Sequence, residues 1–252
     1  MQKPLSAKTL VRKIARRLGF QWLTDWEARV RRDAELTNAM LRAVLRRDTN
    51  CIDVGANRGV FLEKFVQLAP NGRHIAIEPI PYHAEVLAKR YPGVEVLECA
   101  LSNRTGEATF FHVPDRDAWS GLERQQYPNG EEPVEIRVSI RRMDDVVDPD
   151  RPVGFIKIDV EGAEFEVLQG ATETLKRWRP TVLFEHAKLH NANYGTTPQM
   201  IFDLIAGECG LQIQDLTLSR TYGRQEFVDI YERSHASNYD RRAQTNFVAR
   251  PL

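Results

Sequence analysis

The spacing of apolar residues changes character once along the chain, near residue 50. Before it, the pattern is helical. Leu10, Val11, Ile14, Ala15 and Leu18 share one face of a predicted helix over 6–18, Lys8, Arg12, Lys13, Arg16 and Arg17 take the rest, and Gly19 can end it. A second helix is predicted from Thr24, whose spacing to Glu27 suits a capping box, with Trp26, Val30, Thr37, Leu41 and Val44 turned inward. After residue 50, short apolar runs alternate with amphipathic stretches. Strands are predicted over 51–54, 74–78, 94–100, 155–159 and 181–185, and helices over 60–69, 84–90, 164–176 and 198–208. Strands that are apolar throughout, separated by amphipathic helices, imply an α/β, doubly wound, mostly parallel sheet covered on both faces.

Two regions depart from that alternation. The C-terminal runs 211–218 and 247–249 read as strands with no helix between them, an antiparallel hairpin closed by a long polar and aromatic loop over about 219–246. Between the third and fourth strands, 102–152 forms a long interruption, with extra strands predicted over 108–112 and 134–140. Long loops above a sheet commonly carry acceptor specificity. The chain thus divides into a helical extension, 1–48, and one α/β domain, 49–252.

Charge sharpens the reading of the extension only. Thirty-five basic residues balance thirty-five acidic ones, which gives no reason to expect a nucleic-acid partner, yet residues 1–48 hold twelve Lys or Arg against five Asp or Glu. A basic amphipathic helix suits peripheral contact with an anionic membrane, and equally a solvated or core-covering role. Cys51, Cys99 and Cys209 are widely spaced in apolar surroundings and read as reduced core thiols. No run approaches the roughly 18 apolar residues of a membrane span, so the expectation is a soluble cytoplasmic protein, membrane-peripheral at most.

Chemistry concentrates where strands end. In "CIDVGANRGVFLEKFVQL" a carboxylate, Asp53, precedes a turn through Gly55, Asn57 and Gly59 into a helix, and Asn57 is among the few non-glycine residues that tolerate a left-handed backbone. Such a strand, turn and helix make a nucleotide crevice. The glycine spacing is not that of a dinucleotide loop, so a pyrophosphate cradle is disfavoured. Glu78 ends the second strand in "HIAIEP", where a carboxylate can accept hydrogen bonds from both ribose hydroxyls of an adenosine.

The stretches "IDVGANRG", "IAIEPIP", "ALSNRTGEATF", "FIKIDVEGAEFEVLQGA" and "PTVLFEH" together resemble the class I S-adenosylmethionine-dependent methyltransferases, and within them the FkbM family, over roughly residues 40–250. The resemblance implies a Rossmann-like sheet of seven strands with an antiparallel last strand. It places Asp53, Gly55, Asn57 and Gly59 beside the methionine part and ribose of S-adenosylmethionine, Glu78 on the ribose, and Ala100 and Ser102 beside the adenine. "DAWSGLE" is similar to a segment of FkbM-like proteins and adds Ser120. Asp159 and Glu161 follow the fourth strand and become candidate catalytic residues, with His186, after the fifth, the other candidate base. Glu164 is sufficiently explained by its place at a helix N-terminus. A divalent metal held by Asp159 and Glu185, as in some related O-methyltransferases, is the less favoured alternative. The implied activity is O-methylation of a hydroxyl on a sugar, a glycan or glycolipid precursor, or another small molecule. An NAD(P)-dependent oxidoreductase on the same sheet, or an inactive cofactor-binding or assembly protein, remain the rival readings.

Overall fold

The computed structural model describes residues 21–114, 116–125, 127, 130–191, 193–234 and 244–251; the helix expected over 6–18 lies outside them. Helix α1 (Gln21–Val44) leads into β1 (Cys51–Val54), α2 (Val60–Leu68), β2 (Ile75–Ile77), α3 (Pro81–Arg90) and β3 (Glu95–Leu97). β4 (Ala100–Leu101), β5 (Gly106–His112), β6 (Val134–Arg141) and α4 (Met143–Val146) follow, then β7 (Phe155–Ile158), α5 (Glu164–Gln169), α6 (Thr172–Trp178) and β8 (Thr181–Glu185). The chain finishes with α7 (Lys188–Asn191), α8 (Pro198–Phe202), β9 (Gln212–Gln214), α9 (Arg224–Ser234) and β10 (Asn246–Arg250).

Seven strands form one sheet in the order β3-β2-β1-β7-β8-β10-β9, with β10 antiparallel to both its neighbours and the remaining pairings parallel. Every residue of β1 and β7 is buried, because helices cover both faces. Alternate residues serve opposite layers: Ile52, Val54, Ile156 and Phe184 join one core, and Cys51, Phe155, Leu183 and Val248 the other. The end of α1 and the residue after it pack Met40, Leu41 and Leu45 onto the second of these, and Thr37 is also buried, whereas Val30, expected inward, is exposed. The three cysteines are free and buried. No helix among the described residues is long and apolar enough to cross a membrane. Strand order reverses between β1 and β7, which puts a crevice at the carboxyl ends of these two strands.

The interruption folds into a second sheet, β4-β6-β5. The single strand expected over 94–100 is divided between the two sheets, because Cys99 N donates to Leu97 O (3.1 Å) and this tight turn swings the chain off the ladder. The helix expected over 164–176 breaks at Gly170, where a Cβ would stand 2.1 Å from Ser102 O; backbone contact there excludes a continuous side-chain-bearing helix face. The helix over 198–208 ends in a wide turn, Asp203–Glu208, closed by Cys209 N on Leu204 O. Two C-terminal expectations are corrected. The strand over 211–218 stops at Gln214, because the Asp215 carboxylate accepts from Ser219 N and Arg220 N and turns the chain. The loop after it contains α9, which buries Phe227, Val228 and Tyr231 and sets Phe227 edge-on to Phe247.

Candidate functional site

The turn after β1 is shaped by backbone demands. Gly55 and Gly59 have φ of 72° and 80°, and Asn57, at 47°, takes the left-handed conformation its side chain tolerates. A Cβ on Gly55 would lie 2.1 Å from Asp159 O, so glycine is what lets the ends of β1 and β7 touch. Gly55 N and Ala56 N both donate to Ile77 O (3.0 and 3.1 Å), tying the turn to the end of β2. A Cβ on Gly59 would press to 2.7 Å against Leu87, which brings α2 close to α3.

Beneath this turn lies an ion triad that the sequence reading missed in part. Lys157 sits in the middle of the buried strand Phe-Ile-Lys-Ile, with Nζ 3.4 Å from Asp53 Oδ1 and 3.6 Å from Asp159 Oδ2. The same ammonium donates to Val54 O (3.1 Å) and Gly55 O (2.8 Å). Burial pushes the Asp53 carboxyl up, against the opposing pull of Lys157. Burial alone would lower the Lys157 amine, but Asp159 and Asp53 raise it above the ordinary lysine range. Asp53 is fully buried and its oxygens make no hydrogen bond of ordinary geometry, so its contribution reaches the surface through Lys157.

Glu78 stands at the end of β2 with each carboxylate oxygen engaged once: Oε2 accepts from Asn57 N (2.7 Å) and Oε1 from Ile80 N (2.9 Å). Each oxygen retains a further lone pair. Burial pushes this carboxyl up to about 7, against the two backbone donors. Glu78 lines a cavity of about 680 Å³, its open mouth included, together with Gly55, Asn57, Ile80, Ala100 and Ser120. Leu101, Phe110 and Leu122 give it an apolar side, and Asp159 and Glu161 an acidic one. Of the residues expected to meet a cofactor, Asp53, Gly59 and Ser102 are not in this wall; Ser102 is buried where its N–H donates to Arg141 O (3.0 Å).

Glu161 has a left-handed backbone (φ 57°) followed by Gly162 at 113°, a turn into the next helix that the glycine permits. The buried Glu164 carboxylate holds that turn, accepting from Val160 N (3.0 Å) and Gly162 N (3.3 Å), and burial pushes it up to about 7. His186 is elsewhere. Its ring is fully buried between Tyr231 (4.3 Å between centroids) and Phe227 (5.7 Å), outside the cavity wall, and burial drives it down to about 3. Glu185 is half-buried and also outside the wall, and no group of three His, Cys, Asp or Glu among the described residues is arranged to hold a metal.

Comparison with known proteins bears on what this arrangement does. Residues 53–213 match the model of the methyltransferase FkbM domain family. Methyltransferase SdnD of Sordaria araneosa is 29% identical over 155 residues, 48% of this chain and 60% of that protein. 2-O-methyltransferase NoeI of Sinorhizobium fredii is 29% identical over 151 residues, 52% of this chain and 61% of its own length. The chain thus spans somewhat less than two thirds of these relatives. A solved structure, methyltransferase FkbM from Methylobacillus flagellatus KT, superposes with a TM-score of 0.50 at 17% identity, covering 81% of this chain and 44% of that one, which supports the fold.

Proposed function

Because the chain belongs to the methyltransferase FkbM domain family, we propose that it transfers a methyl group from S-adenosylmethionine to a hydroxyl oxygen of a sugar, glycan precursor or other small molecule. The observation that carries this reading is the Glu78 carboxylate, anchored by two backbone N–H groups and with lone pairs left to accept from two ribose hydroxyls. The residues around it suit the rest of the cofactor. Ile80, Ala100, Leu101 and Phe110 offer an apolar wall for an adenine, Gly55 admits close approach to its own backbone, and Asp159 and Glu161 face a cationic centre with acids. O-methylation in particular draws on NoeI, which carries that activity in its name.

Bound S-adenosylmethionine supplies a sulfonium-activated methyl group, so this chain's residues need only align the acceptor and manage one proton. We assign that proton to Asp159. It lines both the cofactor cavity and an adjoining open cavity beside Arg58, Phe61 and Lys157, through which an acceptor can approach. Asp159 would take the proton that the acceptor hydroxyl loses as its oxygen takes the methyl and the sulfonium, its bond to that methyl broken, leaves as a neutral thioether; Lys157 Nζ pairs with the same carboxylate at 3.6 Å. His186, stacked in the core, takes no part in this scheme.

The test is methyl transfer from labelled S-adenosylmethionine into a mixture of hydroxylated metabolites and glycans, with products identified by mass spectrometry. Label should enter an ether linkage, and Asp159→Asn should lower turnover by about 100-fold or more, beyond any weakening of cofactor binding. Label in nitrogen or carbon would refute the hydroxyl acceptor; NAD binding without S-adenosylmethionine binding would refute the methyltransferase reading altogether.

A further inference from the structure

Residues 116–125 cross above the cofactor cavity from one side of the crevice to the other, and both ends are fastened. At the first end a single side chain makes three attachments to three elements. Asp117 accepts from Arg58 Nη2 in the β1–α2 turn (2.8 Å) and from His112 Nε2 at the end of β5 (3.1 Å), and its carboxylate lies within ion-pair distance of His83 Nε2 on α3 (3.1 Å). Burial would raise this carboxyl, yet the hydrogen bonds from Arg58 and His112 hold it below the usual carboxylate range. At the far end the attachments involve backbone groups. Gln125 Nε2 donates to Glu161 O (2.7 Å), Glu123 N to Tyr194 Oη (3.1 Å) and Asn193 Nδ2 to Arg124 O (3.0 Å). Between the two, Gly121 exchanges both backbone hydrogen bonds with Phe111, and Ser120 and Leu122 line the cavity from above.

The two ends are not equivalent. Asp117 lies in the wall of the cofactor cavity and also of the open cavity bounded by Arg58, Val60, Phe61 and Arg116, so its carboxylate stands between them. Loss of this one charge would loosen three attachments at the boundary between the two spaces, whereas no single side chain among the described residues holds three elements at the far end. We propose that residues 116–125 form a strap whose Asp117 end opens to admit and release the cofactor, which makes Asp117 a positioning residue for cofactor exchange. This rests on the reading that the cavity holds S-adenosylmethionine. It adds a rate-setting step that is separate from methyl transfer, of the kind that often limits turnover in enzymes with closing segments.

A gate and a simple contact have different kinetic signatures. Easier opening of a gate speeds entry and exit together; loss of a contact to the ligand speeds exit alone. The experiment measures association and dissociation of S-adenosylhomocysteine with the full chain by stopped flow, for the unmodified protein and Asp117→Asn. Both rate constants should rise about tenfold, the scale of losing a charge-assisted hydrogen bond, with Kd changing by less than about threefold. Hydrogen exchange should accelerate within 116–125 and not in β1 or β7. If Asp117→Asn does not fold, Arg58→Gln removes one attachment from the solvent side and should give the same paired acceleration, smaller in size. Faster dissociation at unchanged association, or no change in either rate, overturns the strap while leaving the cofactor reading intact. An unmodified chain that binds no S-adenosylhomocysteine overturns the cofactor reading and the gate that rests on it, while binding with unaltered exchange within 116–125 in the variant refutes the Asp117 latch alone.

Discussion

Lys157 is the residue on which the floor of the site depends. It is a lysine inside an otherwise apolar strand, fully enclosed by Asp53, Asp159 and the carbonyls of Val54 and Gly55. Taking one partner from a buried ion group leaves the others uncompensated, so Lys157→Met should cost about 3–5 kcal/mol of stability, measured by denaturant unfolding. A loss under about 1 kcal/mol would mean the triad is already solvated. Sequence reading found Asp53 and Asp159 but not the lysine between them, although a lone ammonium in an apolar run was a usable signal. It read Asn57 correctly as left-handed, because local backbone preference decides that position; Asp53 it placed at the ligand, because a carboxylate's burial depends on what packs over it. Asp117 offered no such signal, since its three partners are 59, 34 and 5 residues distant and only the tertiary fold unites them.

At the scale of elements, periodicity located every strand of the main sheet and most helices, and failed where a local hydrogen bond or close contact intervened. The division of β3 from β4 rests on one tight turn at Cys99, the break between α5 and α6 on the approach of Ser102 to Gly170, and neither alters the apolar pattern. Helix α9 was legible in principle from Phe227, Ile230 and Tyr231 at helical spacing, but the surrounding polar residues obscured it. Its position decides the fate of His186, which it covers with two aromatic rings. His186→Phe should therefore keep turnover within about threefold and leave its pH profile unchanged, as an aromatic-for-aromatic swap in a stacked core does. Turnover lost without loss of stability would restore the histidine as the base.

Across the whole molecule, one topological fact organises the site: strand order reverses between β1 and β7, so their carboxyl ends, the tip of β2 and the second sheet's strap converge on a single crevice. That arrangement was readable from the alternation of strands and helices, since a parallel sheet with one reversal has its crevice at the reversal. What the chain pattern could not convey is which strand-end acids face the crevice. Glu78 and Asp159 do, Asp53 and Glu185 do not. The claim that this crevice is an S-adenosylmethionine site rests most heavily on Glu78, and its titration makes the claim measurable. With the carboxyl pushed up to about 7, the cavity is partly protonated near neutrality, and a ligand whose hydroxyls donate to it must displace that proton. Calorimetric titration of S-adenosylmethionine across about pH 6 to 8 is the most direct test. Affinity should rise with pH, approaching about tenfold per unit below 7 and levelling above it, and Glu78→Gln should bind more weakly with that rise abolished. Equal affinity in Glu78→Gln, or no binding by the unmodified chain, would contradict the account.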